Sequence, residues 1–93
     1  MTDEAKIRLD ELKKGGKFIV GAAWCGPCQM LKAEFKRKGV EYVYVDADEE
    51  MEIAQELGIR GVPSCVVFNE SGEEIDRLVG YGSIFALYVS VEG

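Results

Sequence analysis

The sequence predicts an α/β domain, a mixed four-stranded sheet with helices on both faces, led in by an N-terminal helix. Three observations predict it. Lys17 to Ala23 is a continuous apolar run, the pattern of a strand buried on both faces. Helical and strand patterns alternate before two strand patterns follow one another directly. The turn Asn69-Glu70-Ser71-Gly72 joins those last two as a hairpin. A parallel crossover and an antiparallel hairpin in one short chain bury their apolar faces most simply in a single sheet.

Residues 3–14 read as a helix. Thr2 or Asp3 can cap it, Ala5, Leu9 and Leu12 share one face, and Lys13 and Lys14 complement its dipole before Gly15-Gly16. The apolar run from Lys17 is the first strand. A second helix starts near Pro27 and ends at Gly39, with Cys28, Leu31 and Phe35 as its inward stripe. Lys36-Arg37-Lys38 fall in its last turn, so this basic cluster reads as a solvated, dipole-complementing face. Val40 to Asp46 is the second strand, Glu49 to Leu57 a short helix closed by Gly58. Ser64 to Phe68 and Glu73 to Val79 form the hairpin. Ser83 is expected to cap a last helix from Ile84, whose end the β-branched Val89 and Val91 blur.

Composition narrows the function. A chain of 93 residues with 47% apolar and 30% charged residues fits one globular domain spanning 1–93. The acidic start, Met1-Thr2-Asp3-Glu4, leads into no apolar core of a leader peptide, and Phe18 to Trp24 is too short to span a bilayer. A cytoplasmic location is the default. The net charge of −6 argues against nucleic acid or an anionic membrane as partner, because phosphates are bound chiefly through Lys and Arg. The absence of histidine removes a Cys–His pair, a His base and any His-containing metal site. Three cysteines are too few for a disulfide scaffold, so each is free, catalytic or metal-bound.

Trp24-Cys25-Gly26-Pro27-Cys28 stands where a buried strand passes into a helix. Cys25 falls at the helix N-terminus, where unpaired N–H groups and the dipole favour the thiolate. That form is the nucleophile, and an unperturbed thiol of pKa about 8.5 is only about 3% ionised at pH 7. The two-residue spacer sets the cysteines one helical turn apart, close enough to bond. Gly26 lets the backbone turn, and Pro27 suits the first helical turn. Cys28 lies on the inward stripe, so one sulfur is exposed to attack and the other is shielded.

This pentapeptide resembles the active-site motif of the thioredoxin family, and Gly58-Ile59-Arg60-Gly61-Val62-Pro63 resembles that family's cis-proline segment. The resemblance runs over roughly residues 3–90. It implies a thioredoxin-like fold and a protein disulfide reductase that works without a cofactor or metal, through a reversible Cys25–Cys28 disulfide. Cys25 attacks a substrate disulfide, and Cys28 resolves the mixed disulfide. It also implies that Trp24, Gly26 and Pro27 flank the dithiol and that the Val62 backbone, beside cis-Pro63, pairs with an extended substrate. Gly61 and Gly80 keep the docking surface flat. Packing and turn geometry alone would also account for Trp24 and Gly80, and a trans-proline in a loop for Pro63. The implied partners are protein disulfides and a thioredoxin reductase or similar donor, with the chain a monomer.

The chain departs from the family pattern in four places. Ile19 stands where the family has a buried acid, six residues before Cys25, and Tyr44 where it has that acid's lysine partner. Ala33 replaces a helix-kinking proline, so the second helix should run straighter. The family's usual first strand is lacking. Cys65 reads as a small buried hydrophobe, with a third metal ligand or a redox-sensitive thiol as sharper alternatives. Two other functions follow from different features. A glutathione-recharged, glutaredoxin-like enzyme would use Gly80-Tyr81-Gly82-Ser83 as a carboxylate cradle, and a non-enzymatic metal module would use Cys25, Cys28 and Cys65.

Overall fold

The computed structural model describes residues 1–89. The chain runs α1 (Asp3–Lys14), β1 (Lys17–Gly21), α2 (Gly26–Lys38), β2 (Tyr44–Asp46), α3 (Met51–Glu56), β3 (Ser64–Phe68), β4 (Glu74–Val79) and α4 (Tyr81–Val89). The strands form one sheet in the order β2-β1-β3-β4. β1 and β2 are parallel, with Ile19 beside Tyr44, whereas β1–β3 and β3–β4 are antiparallel.

Alternation along β1 sends successive side chains to opposite faces. Phe18 and Val20 meet Leu9 and Leu12 of α1, Ile53 of α3 and Phe68, and the Phe18 and Phe68 rings stack 5.8 Å apart. Ile19 faces Leu31 and Phe35 of α2 and Ile84 of α4. Two helices therefore cover each face, as expected. Phe35 is the hub of the second layer, its ring 5.2 Å from Tyr42, 5.1 Å from Tyr88 and 6.3 Å from Phe85.

Thr2 caps α1 by accepting the N–H of Ala5, and Lys13 and Lys14 occupy its last turn. Helix α2 runs unbroken to Gly39, which takes the left-handed conformation, φ 71°. There the N–H of Val40 donates to Phe35 and that of Gly39 to Lys36, a double C-terminal closure. That closure carries residues 40–42 away from the sheet edge, so β2 is shorter than the expected Val40–Asp46. Its pairing begins where the N–H of Ile19 donates to the carbonyl of Val43.

Helix α3 also starts later than expected. Asp46 Oδ1 accepts the N–H groups of Asp48 and Glu49, holding 46–49 as a turn. The last helix, by contrast, starts early. Gly80, at φ 100°, turns the chain directly out of β4, and its carbonyl accepts the Ile84 N–H. Ser83 is thus an exposed residue inside α4 rather than its cap. The expected blurring around Val91 lies outside the described residues.

Candidate active site

β1 ends at Gly21, and five residues later, at Gly26, the chain enters α2. Cys25 is the N-cap residue of that helix, with extended backbone, and its sulfur accepts the N–H of Cys28 at 3.2 Å. A sulfur so placed faces the unpaired N–H groups and the positive end of the helix dipole, which favours negative charge there. Cys25 and Cys28 are joined as a disulfide, with Cα atoms 5.2 Å apart. Cys28 is fully buried and Cys25 nearly so, and Ala22 packs beneath both together with Val62. Gln29 braces the loop from below, donating its amide to the carbonyl of Ala22 at 3.0 Å.

The chain crosses the sulfurs a second time at the start of β3. The Val62–Pro63 peptide bond is cis. The Val62 carbonyl lies 3.6 Å from Cys25 Sγ, close enough to accept from it when Cys25 is a thiol. Gly80 is tied to the same segment, its N–H donating to the Pro63 carbonyl at 2.9 Å. A side chain at Gly61 would meet Val79 only at ordinary contact distance, and one at Gly80 would meet nothing. Positive φ, rather than lack of room, is what suits Gly80 to glycine. Gly26 and Pro27 are exposed on the outer side of the dithiol. All nine residues singled out from the sequence thus lie in three backbone segments that meet at Cys25 and Pro63.

Trp24 is 73% exposed, yet its indole is not free: Nε1 donates to Asp48 Oδ2 at 2.9 Å. Asp48 was not anticipated. The signal for it lay in the topology, because β1 and β2 are parallel and their C-terminal ends are neighbours. The loop after β2 must therefore approach the loop after β1.

Cys65 stands apart from this group. It is fully buried in the layer of Ile19, Leu31 and Phe35, 3.9 Å from the Tyr88 hydroxyl, and burial pushes its thiol pKa up. Among the described residues no three His, Cys, Asp or Glu side chains stand together as a metal site. Ile19 is wholly buried, and the Tyr44 hydroxyl beside it is buried with no hydrogen-bond partner.

The chain arranges a bonded cysteine pair at a helix N-terminus, opposite the Val62–Pro63 segment, whose Val62 carbonyl faces Cys25 Sγ. Comparison with known proteins agrees with that reading. The thioredoxin family model matches residues 11–88. The chain is 42% identical over 83 residues to a thioredoxin of Malassezia sympodialis, covering 78% of each. It is 33% identical over 87 residues to thioredoxin Asp f 29 of Aspergillus fumigatus, covering 83% of this chain and 78% of that one. The crystal structure of the Malassezia sympodialis thioredoxin superposes with a TM-score of 0.63 at 34% identity, over 83% of this chain and 74% of that one. A single-site mutant of a thioredoxin from Halobacterium salinarum gives 0.68 at 30% identity, over 90% and 82%. The chain is a thiol–disulfide oxidoreductase and belongs to the thioredoxin family.

Proposed function

We propose that the chain is a thioredoxin-type electron carrier that reduces protein disulfides, with Cys25 as nucleophile and Cys28 as resolving thiol. The observation that supports this division is the position of the two sulfurs. Both sulfurs are buried, but Cys25 keeps 5% exposure against 0% for Cys28, and Cys25 Sγ caps α2 and faces the Val62 carbonyl. In the reduced protein the Cys25 thiolate attacks one substrate sulfur, forming a mixed disulfide and releasing the other substrate sulfur as a thiolate. Cys28 then gives up its proton and attacks Cys25. The Cys25–Cys28 bond forms, the mixed disulfide breaks, and the substrate departs with both electrons.

In the same reading Trp24, Gly26, Pro27, Gly61, Val62, Pro63 and Gly80 form the surface on which an extended substrate docks. The Val62 backbone supplies strand-like hydrogen bonds to it. The redox chemistry resides in the two sulfurs, and no metal or other cofactor takes part. Electrons come from a reductase, the partner the family implies. The chain works as one domain and a monomer in the cytoplasm, and its net charge of −6 suits neither nucleic acid nor an anionic membrane. Among the described residues no helix is long and apolar enough to cross a membrane.

The test is turnover of insulin disulfides with purified thioredoxin reductase and its dinucleotide, against glutathione with glutathione reductase. Recharge by thioredoxin reductase is expected. Turnover supported by glutathione alone would replace the reading with a glutaredoxin-like one.

A further inference from the structure

Two hydrogen bonds meet on the carbonyl of Ala22. One comes from the Cys25 N–H at 3.2 Å and closes a β-turn over residues 22–25, between β1 and α2. The other comes from the side chain of Gln29, whose Nε2 lies at 3.0 Å. Gln29 is exposed as a residue of α2, yet its amide is turned back onto this turn. Its backbone N–H donates to the Cys25 carbonyl at 3.2 Å. One residue thus holds the Cys25 backbone on both sides, directly at the carbonyl and through Ala22 at the N–H.

Cys25 itself belongs to neither strand nor helix. Its φ of −90° and ψ of 112° are extended, and this conformation carries the sulfur over the helix N-terminus, 3.2 Å from the Cys28 N–H. Rotation of the Cys25 backbone would swing the sulfur off that donor. Ala23 and Gly26, on either side of Trp24 and Cys25, are exposed, so packing does little to resist such a rotation. The bonds made by Gln29 do resist it.

We propose that Gln29 is a positioning residue for the nucleophile, its amide stapling the 22–25 turn to α2 so that the Cys25 sulfur stays on the Cys28 N–H. The proposal rests on the assignment of Cys25 as attacker. A backbone N–H bonds a thiolate more strongly than a thiol, so a sulfur held there ionises more readily. Gln29 is uncharged, and its amide bonds to the turn rather than to a sulfur. Ala22, Cys28 and Val62 pack with Cys25, and of these only Cys28 titrates. The charged groups on the surrounding elements are Asp48, bonded to the Trp24 indole, Arg60, two residues before Val62, and Lys32 of α2, over the Tyr44 ring. A neutral replacement of Gln29 alters none of these charges, so a shift in the Cys25 titration then reports the position of the sulfur.

The experiment is alkylation of the reduced protein by iodoacetamide from about pH 5 to about pH 10, with peptide mapping of the first label. In Gln29→Met, neutral and of similar length, the Cys25 midpoint should rise about half a unit and the rate below it should fall about threefold, the scale of one weakened hydrogen bond. The plateau rate above the midpoint should match the parent, because the free thiolate reacts alike in both. A change in access alone would instead lower the whole profile. Gln29→Asn keeps the amide on a stem too short to reach Ala22 and should shift the midpoint as Gln29→Met does. Circular dichroism of both variants checks that the fold is kept. An unchanged midpoint in Gln29→Met, a profile lowered equally at every pH, or a Gln29→Asn midpoint equal to the parent's overturns the proposal. A first label on Cys28 overturns the assignment of Cys25 as attacker instead.

Discussion

The backbone N–H of Cys28 donates to the sulfur of Cys25, so the helix that buries one cysteine also stabilises charge on the other. Loss of the two sulfurs should therefore have different effects. Cys25→Ser should abolish insulin reduction, because an unactivated hydroxyl does not attack a disulfide. Cys28→Ser should keep the attack and lose the resolution, trapping substrate as a mixed disulfide on a non-reducing gel. Equal trapping by both variants would reverse or erase the assignment.

Asp48 anchors Trp24 at the rim of the dithiol through the 2.9 Å hydrogen bond. Releasing the indole should cost docking rather than chemistry, since ordering one side chain at an interface costs about 0.5–1.5 kcal/mol. Asp48→Ala should raise KM for a protein disulfide about threefold, with kcat nearly constant, and Asp48→Asn, which keeps an acceptor, should recover most of it. Steady-state insulin reduction with each variant is the check. An unaltered KM in Asp48→Ala would show that the exposed ring docks substrate without its anchor.

Phe35 joins α2 to α4 through Phe85 and Tyr88, and to the approach of β2 through Tyr42, and is fully buried. Removing a ring from such a hub leaves a cavity and strips three aromatic contacts. Phe35→Ala should destabilise the domain by about 3–5 kcal/mol in urea unfolding. A loss under about 1 kcal/mol would mean that the layer repacks around the gap.

Burial raises the pKa of Cys65, Tyr44 and Tyr88 alike. For such groups the unfolded chain ionises first as pH rises, and so the fold loses stability once the pH passes the unfolded values. Those are about 8.5 for the thiol and about 10 for the phenols. The urea midpoint should thus be flat to about pH 8 and fall beyond it. Cys65→Ala should remove the earliest part of that fall, cost about 1–2 kcal/mol of core packing and leave disulfide reduction nearly unchanged. A large drop in reductase activity in this variant would revive Cys65 as a redox thiol.

Much of this was legible from local chemistry. The Thr2 cap and Lys13-Lys14 delimit α1 within their own few residues, and β3 reads directly from Ser64 to Phe68. Cys25, Cys28 and Pro63 are readable because their chemistry is written in short motifs. The discrepancies came from groups that act across a bond or a turn. Val40 and Tyr42 have strand-like side chains, but the closure of α2 at Gly39 commits the Val40 N–H to Phe35. Ser83 is a good helix cap by type, but Gly80 turns the chain three residues earlier. The Trp24–Asp48 bond and the Tyr44–Gly21 contact need the pairing of β1 with β2 before either can be seen.

Ile19 gives the sharpest test of how this sheet tolerates charge beside the dithiol. Its side chain is wholly buried, flanked by Tyr44 on β2 and Cys65 on β3 in the sheet register. Ile19→Asp would place a carboxylate there with no cation in the neighbouring strands, and a buried unpaired charge is strongly destabilising, by about 3–5 kcal/mol. The carboxyl would meet part of that cost by holding its proton, so its folded pKa would rise above the unfolded value of about 3.9. A folded pKa raised in this way leaves stability intact below the unfolded value and removes it as pH climbs through the folded one. The gap in stability between parent and variant should therefore be smallest near pH 4 and widen toward neutrality. Adding Tyr44→Lys puts an ammonium at the paired position on β2, and the double variant should recover part of the loss, most clearly at neutral pH where the carboxylate is charged. Urea unfolding of the parent and both variants between about pH 4 and pH 8 decides the matter. An Ile19→Asp protein as stable as its parent across that range would show that water reaches Ile19, and the dithiol would then rest on a wetter floor than this packing allows.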